Sequence, residues 1–392
     1  MTRRPGSLVV AALACALALA ACNSPASDPA PTSTAENESQ HSTKPAKSAP
    51  LRKGEKFLDL TMPEPYTPKA PTAPGTDDYR CFLLDPELAD PAFVTGLDVV
   101  PGNADVVHHV ILFKIGPDVV AEAKAQDAKV KGQGWTCFGG AGVGLDPSRG
   151  FDQAPWLGAW APGSGESILD PDIGVPLEAG SRIVMQVHYN LRVGHAPDVS
   201  SARLRVAPGT ADLEPLRTML LAGPVELPCR AGKTEPLCDR DAAVRDVSKR
   251  FGGQAGLGVL GLQLMCGGDP NNPKASPRQS CDRTVGRAGT IRAVAGHMHL
   301  LGRSISITLH PGTARERKVL DIPVWDFDNQ KARPLSKPAK IKAGDVMRLT
   351  CRHDQALRDS LPELKGTSER YVVWGEGTTD EMCLGIAMLT DP

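Results

Sequence analysis

The chain has 392 residues with 44 Lys+Arg against 45 Asp+Glu, a formal net charge of -1, so the phosphate attraction on which nucleic-acid binders rely is missing and no nucleic-acid partner is expected. Hydrophobic residues make up 41% and charged residues 23%, which is the composition of a globular chain rather than a disordered one. Ten cysteines argue against an ordinary reducing compartment and for an oxidising one, where disulfides persist.

Arg3 and Arg4 precede an apolar run from Leu8 to Ala21, and Leu19-Ala20-Ala21-Cys22 has the form of a bacterial lipoprotein cleavage site. Residues 1–21 are therefore expected to be a signal peptide and Cys22 a lipidated N-terminus; a plain secretory signal is the other reading. The run of 14 residues is short of the roughly 20 that span the hydrocarbon core. A lipid is thus the expected membrane contact, holding the protein at the cell membrane or outer membrane on the extracytoplasmic side. Residues 22–55 are Ser, Pro, Ala, Thr, Glu and Lys with little to bury, and read as a disordered tether in which His41 is inert. The remainder is long enough for two domains, expected at 56–210 and 211–392, with the boundary near Pro208 to Asp212.

The folded part reads as all-β. Val106 to Ile115, Arg182 to Val193, Thr290 to Leu301, Ser304 to His310, Val346 to Arg352 and Glu381 to Leu389 are short runs rich in β-branched residues between Gly and Pro turns. Asp118 to Lys131 and Asp239 to Phe251 have helical spacing and read as insertions, since neither belongs to an alternating strand and helix series.

The chemistry lies in the histidines. Of nine, five fall in three strand contexts. His108 and His109 are adjacent, and neighbours on a regular strand face opposite ways, so both can reach one metal only through a bulge or through different ring nitrogens. Taken alone, the pair reads equally as one core and one surface histidine. In Met185-Gln186-Val187-His188-Tyr189-Asn190, alternation puts Gln186, His188 and Asn190 on one face, which a hydrogen-bonded buried histidine also explains. In Gly296-His297-Met298-His299 the i, i+2 spacing aims both imidazoles to one side, the geometry of two ligands on one ion. A third ligand must come from elsewhere, and Met382 in Asp380-Glu381-Met382-Cys383 offers a thioether. His195, His310 and His353 have no such context and read as surface or core residues.

Taken together, His-His, Gln-Val-His-Tyr, His-x-His followed by Leu300-Leu301-Gly302-Arg303, and Asp-Glu-Met-Cys resemble, in that order, the copper type II, ascorbate-dependent monooxygenases, whose members include the peptidylglycine alpha-hydroxylating and dopamine beta-monooxygenases. The resemblance covers most of residues 79 to 389, with Trp135-Thr136-Cys137, Ala159-Trp160-Ala161 and Lys342-Ala343-Gly344-Asp345-Val346 in support. It implies two tandem jelly-roll-like β-sandwich domains, each carrying one copper across a solvent-filled cleft. His108, His109 and His188 match the electron-supplying site, and His297, His299 and Met382 the oxygen-activating, catalytic site, with Gln186 behind His188. Two copper ions, O2, a one-electron donor such as ascorbate and a small-molecule substrate are the implied cofactors and partners, and hydroxylation of an activated C–H bond is the implied reaction. The ligand types agree, because a thioether favours Cu(I) and argues against zinc, magnesium or calcium.

The chain departs from the amidating member where that protein grips a substrate carboxylate. The corresponding positions here are Ala295, Leu384 and Ile386, none able to form a charge-assisted bond, so the expected substrate is small and apolar. Setting Cys15 and Cys22 aside leaves eight cysteines. The resemblance implies Cys351 with Cys383, and Cys81 pairs with Cys137 if the first domain pairs internally. Cys229, Cys238, Cys266 and Cys281 allow three connectivities, of which 229–238 and 266–281 are preferred because each closes a short loop. The competing functional reading is an extracytoplasmic copper-binding lipoprotein for storage or delivery, which binds metal without oxygenase turnover. A third reading is a purely structural or carbohydrate-binding surface module, with sandwich domains on a lipid tether and histidines buried for packing.

Overall fold

Strands with one apolar face must bury it against a second sheet, and the chain does this twice. The computed structural model describes residues 48–70, 76–144, 154–161, 164–192, 194–327 and 329–392. The expected signal peptide, Cys15, Cys22 and His41 lie outside the described residues. The architecture is all-β with three helices, and none of the described helices is long and apolar enough to cross a membrane.

In the first half, one sheet runs in the order Lys56–Thr61, Ser201–Pro208, Ala92–Val100, Ile173–Leu177, Glu214–Pro215, with Ser167–Ile168 also paired to Ala92–Val100. The facing sheet runs Trp135–Thr136, Asp77–Leu84, Arg182–Asn190, Val107–Ile115, Trp156–Trp160. Leu60, Val94, Leu204 and Val206 meet Phe82, Val110, Leu112, Met185 and Val187 in the core between them. The Arg182–Asn190 strand is buried on both faces. Its odd residues Ile183, Met185, Val187 and Tyr189 join that core, while Val184 packs outward under the Cys81–Cys137 disulfide with Phe113, Ile115 and Trp135. Period two then puts His188 on the outward face, turned toward the second half of the chain.

The second half repeats the scheme. Arg217–Ala222, Leu384–Thr390, Gly289–His297 and Arg333–Ile341 form one sheet, and Arg278–Thr284, Val346–His353, Gly302–Leu309 and Arg317–Ile322 the other. Leu221, Ile291, Ala387 and Leu389 meet Ile305, Ile307, Met347 and Leu349 between them. Both halves belong to one compact unit, Thr43–Pro392.

Two differences from the sequence reading have clear causes. The expected tether does not run to residue 55: the buried Arg205 donates to the carbonyls of Ala49 (2.6 Å) and Pro50 (2.9 Å) and to Glu55 (3.0 Å). A guanidinium taken out of water needs every partner within reach, and this one draws residues 49–55 onto the sandwich. A third helix also follows the expected second one. After α1 (Val120–Asp127) and α2 (Arg240–Phe251), Gly252 at φ 89° breaks the chain and α3 (Gly253–Met265) begins. Its four glycines hide a helix from propensity, and tertiary packing of Val259 and Leu262 supplies what propensity lacks.

The eight paired cysteines form Cys81–Cys137, Cys229–Cys238, Cys266–Cys281 and Cys351–Cys383. Cys266–Cys281 ties the end of α3 to the Arg278–Thr284 strand. Glu226, fully buried, accepts from Arg240 of α2 (2.7 Å twice) and from Gln263 of α3 (2.9 Å), so one carboxylate holds both helices. Glu226→Ala leaves both donors without their acceptor and is expected to cost about 3 kcal/mol, in the range for one side of a buried pair. Urea denaturation followed by circular dichroism measures it; a loss within experimental error of wild type would show that the helices are held by other contacts.

Candidate metal centres

Adjacent histidines point together here because the strand is bulged. Val107 pairs with Tyr189, but His188 pairs with His109, and the register shifts between Val107 and His109. His108 is the extra residue, so His108 and His109 jointly oppose His188 while Val107 and Val110 both stay in the core. The result is a convergence of three Nδ1 atoms, with His108 to His109 at 3.3 Å, His108 to His188 at 3.2 Å and His109 to His188 at 3.3 Å. The centre of an equilateral triangle of that side lies about 1.9 Å from each corner, close to a metal–imidazole bond of about 2.0 Å. Three nitrogens so placed cannot all be paired by protons passing between them, and a cation satisfies all three lone pairs at once.

His188 is oriented by Asp77. Its Nε2 donates to Asp77 Oδ1 at 2.8 Å, which leaves Nδ1 as the lone pair facing the cluster. Tyr79 stacks on His188 with ring centroids 4.1 Å apart. Gln186, expected beside His188, instead donates to the Gly140 carbonyl at 2.9 Å, next to Cys137. Its amide therefore anchors the disulfide loop. Sequence reasoning missed Asp77, although Asp77-Asp78 opening an apolar strand was a signal: acids in a buried strand need partners.

The second group lies at the end of the Gly289–His297 strand. His297 Nδ1 donates to Gln330 Oε1 at 2.6 Å and His299 Nδ1 donates to the Asp380 carbonyl at 3.1 Å, so each presents Nε2 as a lone pair. The rings are 5.1 Å apart. His299 stands two residues beyond the strand, which ends earlier than the expected Leu301. His297 pairs with Leu384, and the buried Met382 lies two residues before that partner.

The Asp-Glu-Met-Cys motif proves to be a chain of anchors around the thioether. Asp380 receives Arg250 of α2 through two bonds, 2.7 and 2.6 Å. Glu381, fully buried, accepts from the backbone N–H groups of His299 (3.0 Å) and Leu301 (2.5 Å) and faces His353 at 3.2 Å. His353 also donates to the Met382 carbonyl at 3.1 Å, which makes it a buried structural residue. Cys383 closes the sequence with its disulfide to Cys351.

The two groups are in contact, and this differs from the solvent-filled cleft that the family resemblance implies. The rings of His109 and His297 lie 6.3 Å apart, and Phe327 of the second half stacks on His108 at 5.4 Å. The closure has identifiable causes. Asp77 Oδ1 accepts from Thr378 Oγ1 (2.7 Å) and Thr378 N (3.1 Å), Tyr79 donates to the Glu376 carbonyl, and Phe138 meets Phe251 of α2 at 5.0 Å.

Residues 274–388 match the family described as copper type II ascorbate-dependent monooxygenase, C-terminal domain. That segment contains His297, His299, Met382 and the Cys351–Cys383 disulfide. The resemblance to the copper type II ascorbate-dependent monooxygenases thus extends over that C-terminal segment. The match covers under a third of the chain and leaves the first histidine group outside it. No curated protein matches the sequence. Among solved structures, the serum fucolectin of striped bass (Morone saxatilis) aligns at 7% identity over 81% of this chain and 84% of that one, with a TM-score of 0.17. The infectious bursal disease virus VP2 subviral particle aligns at 9% identity over 88% and 75%, with a TM-score of 0.18. At such scores neither carries an argument. The monooxygenase assignment suits the donors found, since imidazoles accept copper in both redox states and a thioether favours the reduced one.

Burial pushes His108 and His109 well below the ordinary imidazole range, with the neighbouring imidazoles adding to it. Burial lowers His188 against the opposing pull of Asp77. His297 is held down to about 3 by burial and then by His299. Against the upward push of burial, bonds from His188 and Thr378 keep the Asp77 carboxyl well below the carboxylate range. These imidazoles are neutral at pH 7, as metal ligands must be.

Two measurements follow from this. Asp77→Asn replaces an anionic acceptor by a neutral amide and is expected to weaken copper at the three-histidine centre by about 10 to 100-fold; competitive metal titration checks it, and an unchanged affinity would remove Asp77 from the site. For the metal-free protein, the unfolded state binds protons that the folded imidazoles refuse, so stability rises with pH. Stability should therefore be full above about pH 6.5 and fall as pH drops below it, by about 2 kcal/mol at pH 5 for a residue such as His297. Melting curves between pH 5 and 8 report it, and His297→Asn should flatten the slope.

Proposed function

We propose that this chain is a dicopper monooxygenase that hydroxylates an activated C–H bond of a small apolar substrate, using O2 and a one-electron donor such as ascorbate. The observation that carries the reading is the juxtaposition of a three-imidazole centre with a second centre of two imidazoles and a thioether position, their rings 6.3 Å apart. Copper, when bound, supplies the one-electron redox chemistry and the activation of O2 that no side chain here provides.

The chain's own residues do the rest. His108, His109 and His188 would hold one ion through Nδ1, the last of them oriented by Asp77. His297 and His299 would hold the other through Nε2, each with Nδ1 committed to an oxygen, together with Met382. His188, His299 and Met382 are buried and His108, His109 and His297 partly so, which limits the access of bulk water to the reacting region. Ala295 pairs with Ile386 and His297 with Leu384, so the face that bears His297 continues as an apolar wall. Leu220, Leu262, Met265, Trp156 and Trp374 pack over it. An apolar wall of this kind favours an uncharged substrate. Four disulfides support an oxidising compartment, and with the Cys22 motif they support an extracytoplasmic, lipid-anchored enzyme.

Copper stoichiometry measured with ascorbate-driven O2 uptake tests the reading. Wild type is expected to take two coppers and to consume O2 with members of an apolar activated C–H panel. Met382→Ile should abolish uptake while the three-histidine centre keeps its Cu(II) resonance signal. Two coppers with no O2 consumption on any panel member would transfer the protein to the storage or delivery class.

A further inference from the structure

The second sandwich turns one face of its Arg278–Thr284, Val346–His353, Gly302–Leu309, Arg317–Ile322 sheet to solvent, and that face has an unusual rung. Arg278 lies directly opposite Arg352. His353 N donates to the Pro277 carbonyl at 2.8 Å, which makes the arginine pair a non-hydrogen-bonded rung, the kind in which facing side chains come closest. Like charges so placed repel. Four residues along the same strands, on the same face and in the same kind of rung, Asp282 faces Arg348 with bonds of 2.6 and 2.7 Å. That rung is self-neutralised. Among the described residues neither Arg278 nor Arg352 has a carboxylate within ion-pairing distance, and both are exposed.

The arginines open onto a concavity of about 280 Å³ whose floor carries Ser304, Ser306 and Thr350. Asp321, bonded to Lys318 at 3.0 Å, stands on its far side. Ser304 pairs with Arg352 and Ser306 with Thr350, so the hydroxyls occupy the two rungs beside the cations. Two guanidiniums offer forked donors suited to an oxyanion, hydroxyls both donate and accept, and a carboxylate accepts from a ligand hydroxyl. We propose that this face binds a small oxyanion bearing hydroxyl groups, of the sugar-phosphate or sugar-acid type. The occupant would remove the repulsion that the chain leaves unpaired, and the site lies on the sheet opposite the one that carries His297.

Calorimetric titration at constant ionic strength, with glucose 6-phosphate, inorganic phosphate and glucose as probes, tests it. Glucose 6-phosphate is expected to saturate with a dissociation constant on the order of 1 mM, inorganic phosphate to compete with it, and glucose to show no binding. R278Q/R352Q should weaken glucose 6-phosphate by at least about tenfold, by loss of charge-assisted bonds, whereas R245Q/R287Q, an equal loss of charge elsewhere, should leave it unchanged. Because the double variant relieves a repulsion, its Tm should equal or exceed that of wild type, so lost binding is separable from lost folding. Absence of saturable binding in wild type, or equal affinity in R278Q/R352Q, would overturn the site. Neither result touches the copper assignment, since none of these residues contacts the histidine groups.

Discussion

A hydrogen bond to one nitrogen of an imidazole fixes where the other nitrogen's lone pair points, and three of the histidines here are held in this way. Asp77 holds His188, Gln330 holds His297, and the Asp380 carbonyl holds His299. Each acceptor comes from a different part of the chain, and each is itself secured. Asp77 is bonded by Thr378 from the second half, Gln330 donates to the Phe327 carbonyl, and Asp380 is gripped by Arg250. Orientation of the ligands is thus inseparable from the joining of the two halves, because Asp77 serves both through a single oxygen.

The β-sandwich supplies rigidity and period two supplies aim, but neither alone brings three imidazoles together. The bulge at His108 does that, by placing two neighbours on the face that strand alternation would give to only one. On the other side of the site, Met382 sits among a buried carboxylate, a disulfide and a histidine bonded to its carbonyl. A flexible thioether otherwise packs in many ways, and these anchors restrict its backbone to one.

The helices α2 and α3 give the second half a purpose-built cover. Arg250 and Phe251 of α2 reach the Asp380 loop and Phe138, while Leu262 and Met265 of α3 close the apolar face beside His297. Leu384 and Ile386, beside His297 in the sheet, are part of this hydrophobic cluster. The histidine groups are thus carried by strands and the end of one strand, whereas the apolar cluster beside His297 combines strand residues with residues of α3.

The all-β class was legible in the sequence because alternating apolar runs are a local pattern, and Cys229–Cys238 and Cys266–Cys281 because each closes a short loop; Cys351–Cys383 rested on the family resemblance and Cys81–Cys137 on pairing within the first half. That His108 and His109 could share a target only through a bulge or through different ring nitrogens was legible too, and the register shift shows that the strand takes the bulge. What the sequence could not show was anything set by contacts between distant residues. Asp77 and Thr378 are 301 positions apart, α3 is stabilised by packing against a propensity that disfavours it, and the close approach of His109 to His297 depends on two sandwiches being bonded face to face. Pattern specifies which side chains point together along one element; only the packed chain decides which elements meet, because that choice is made by burial and by the pairing of polar groups that burial compels.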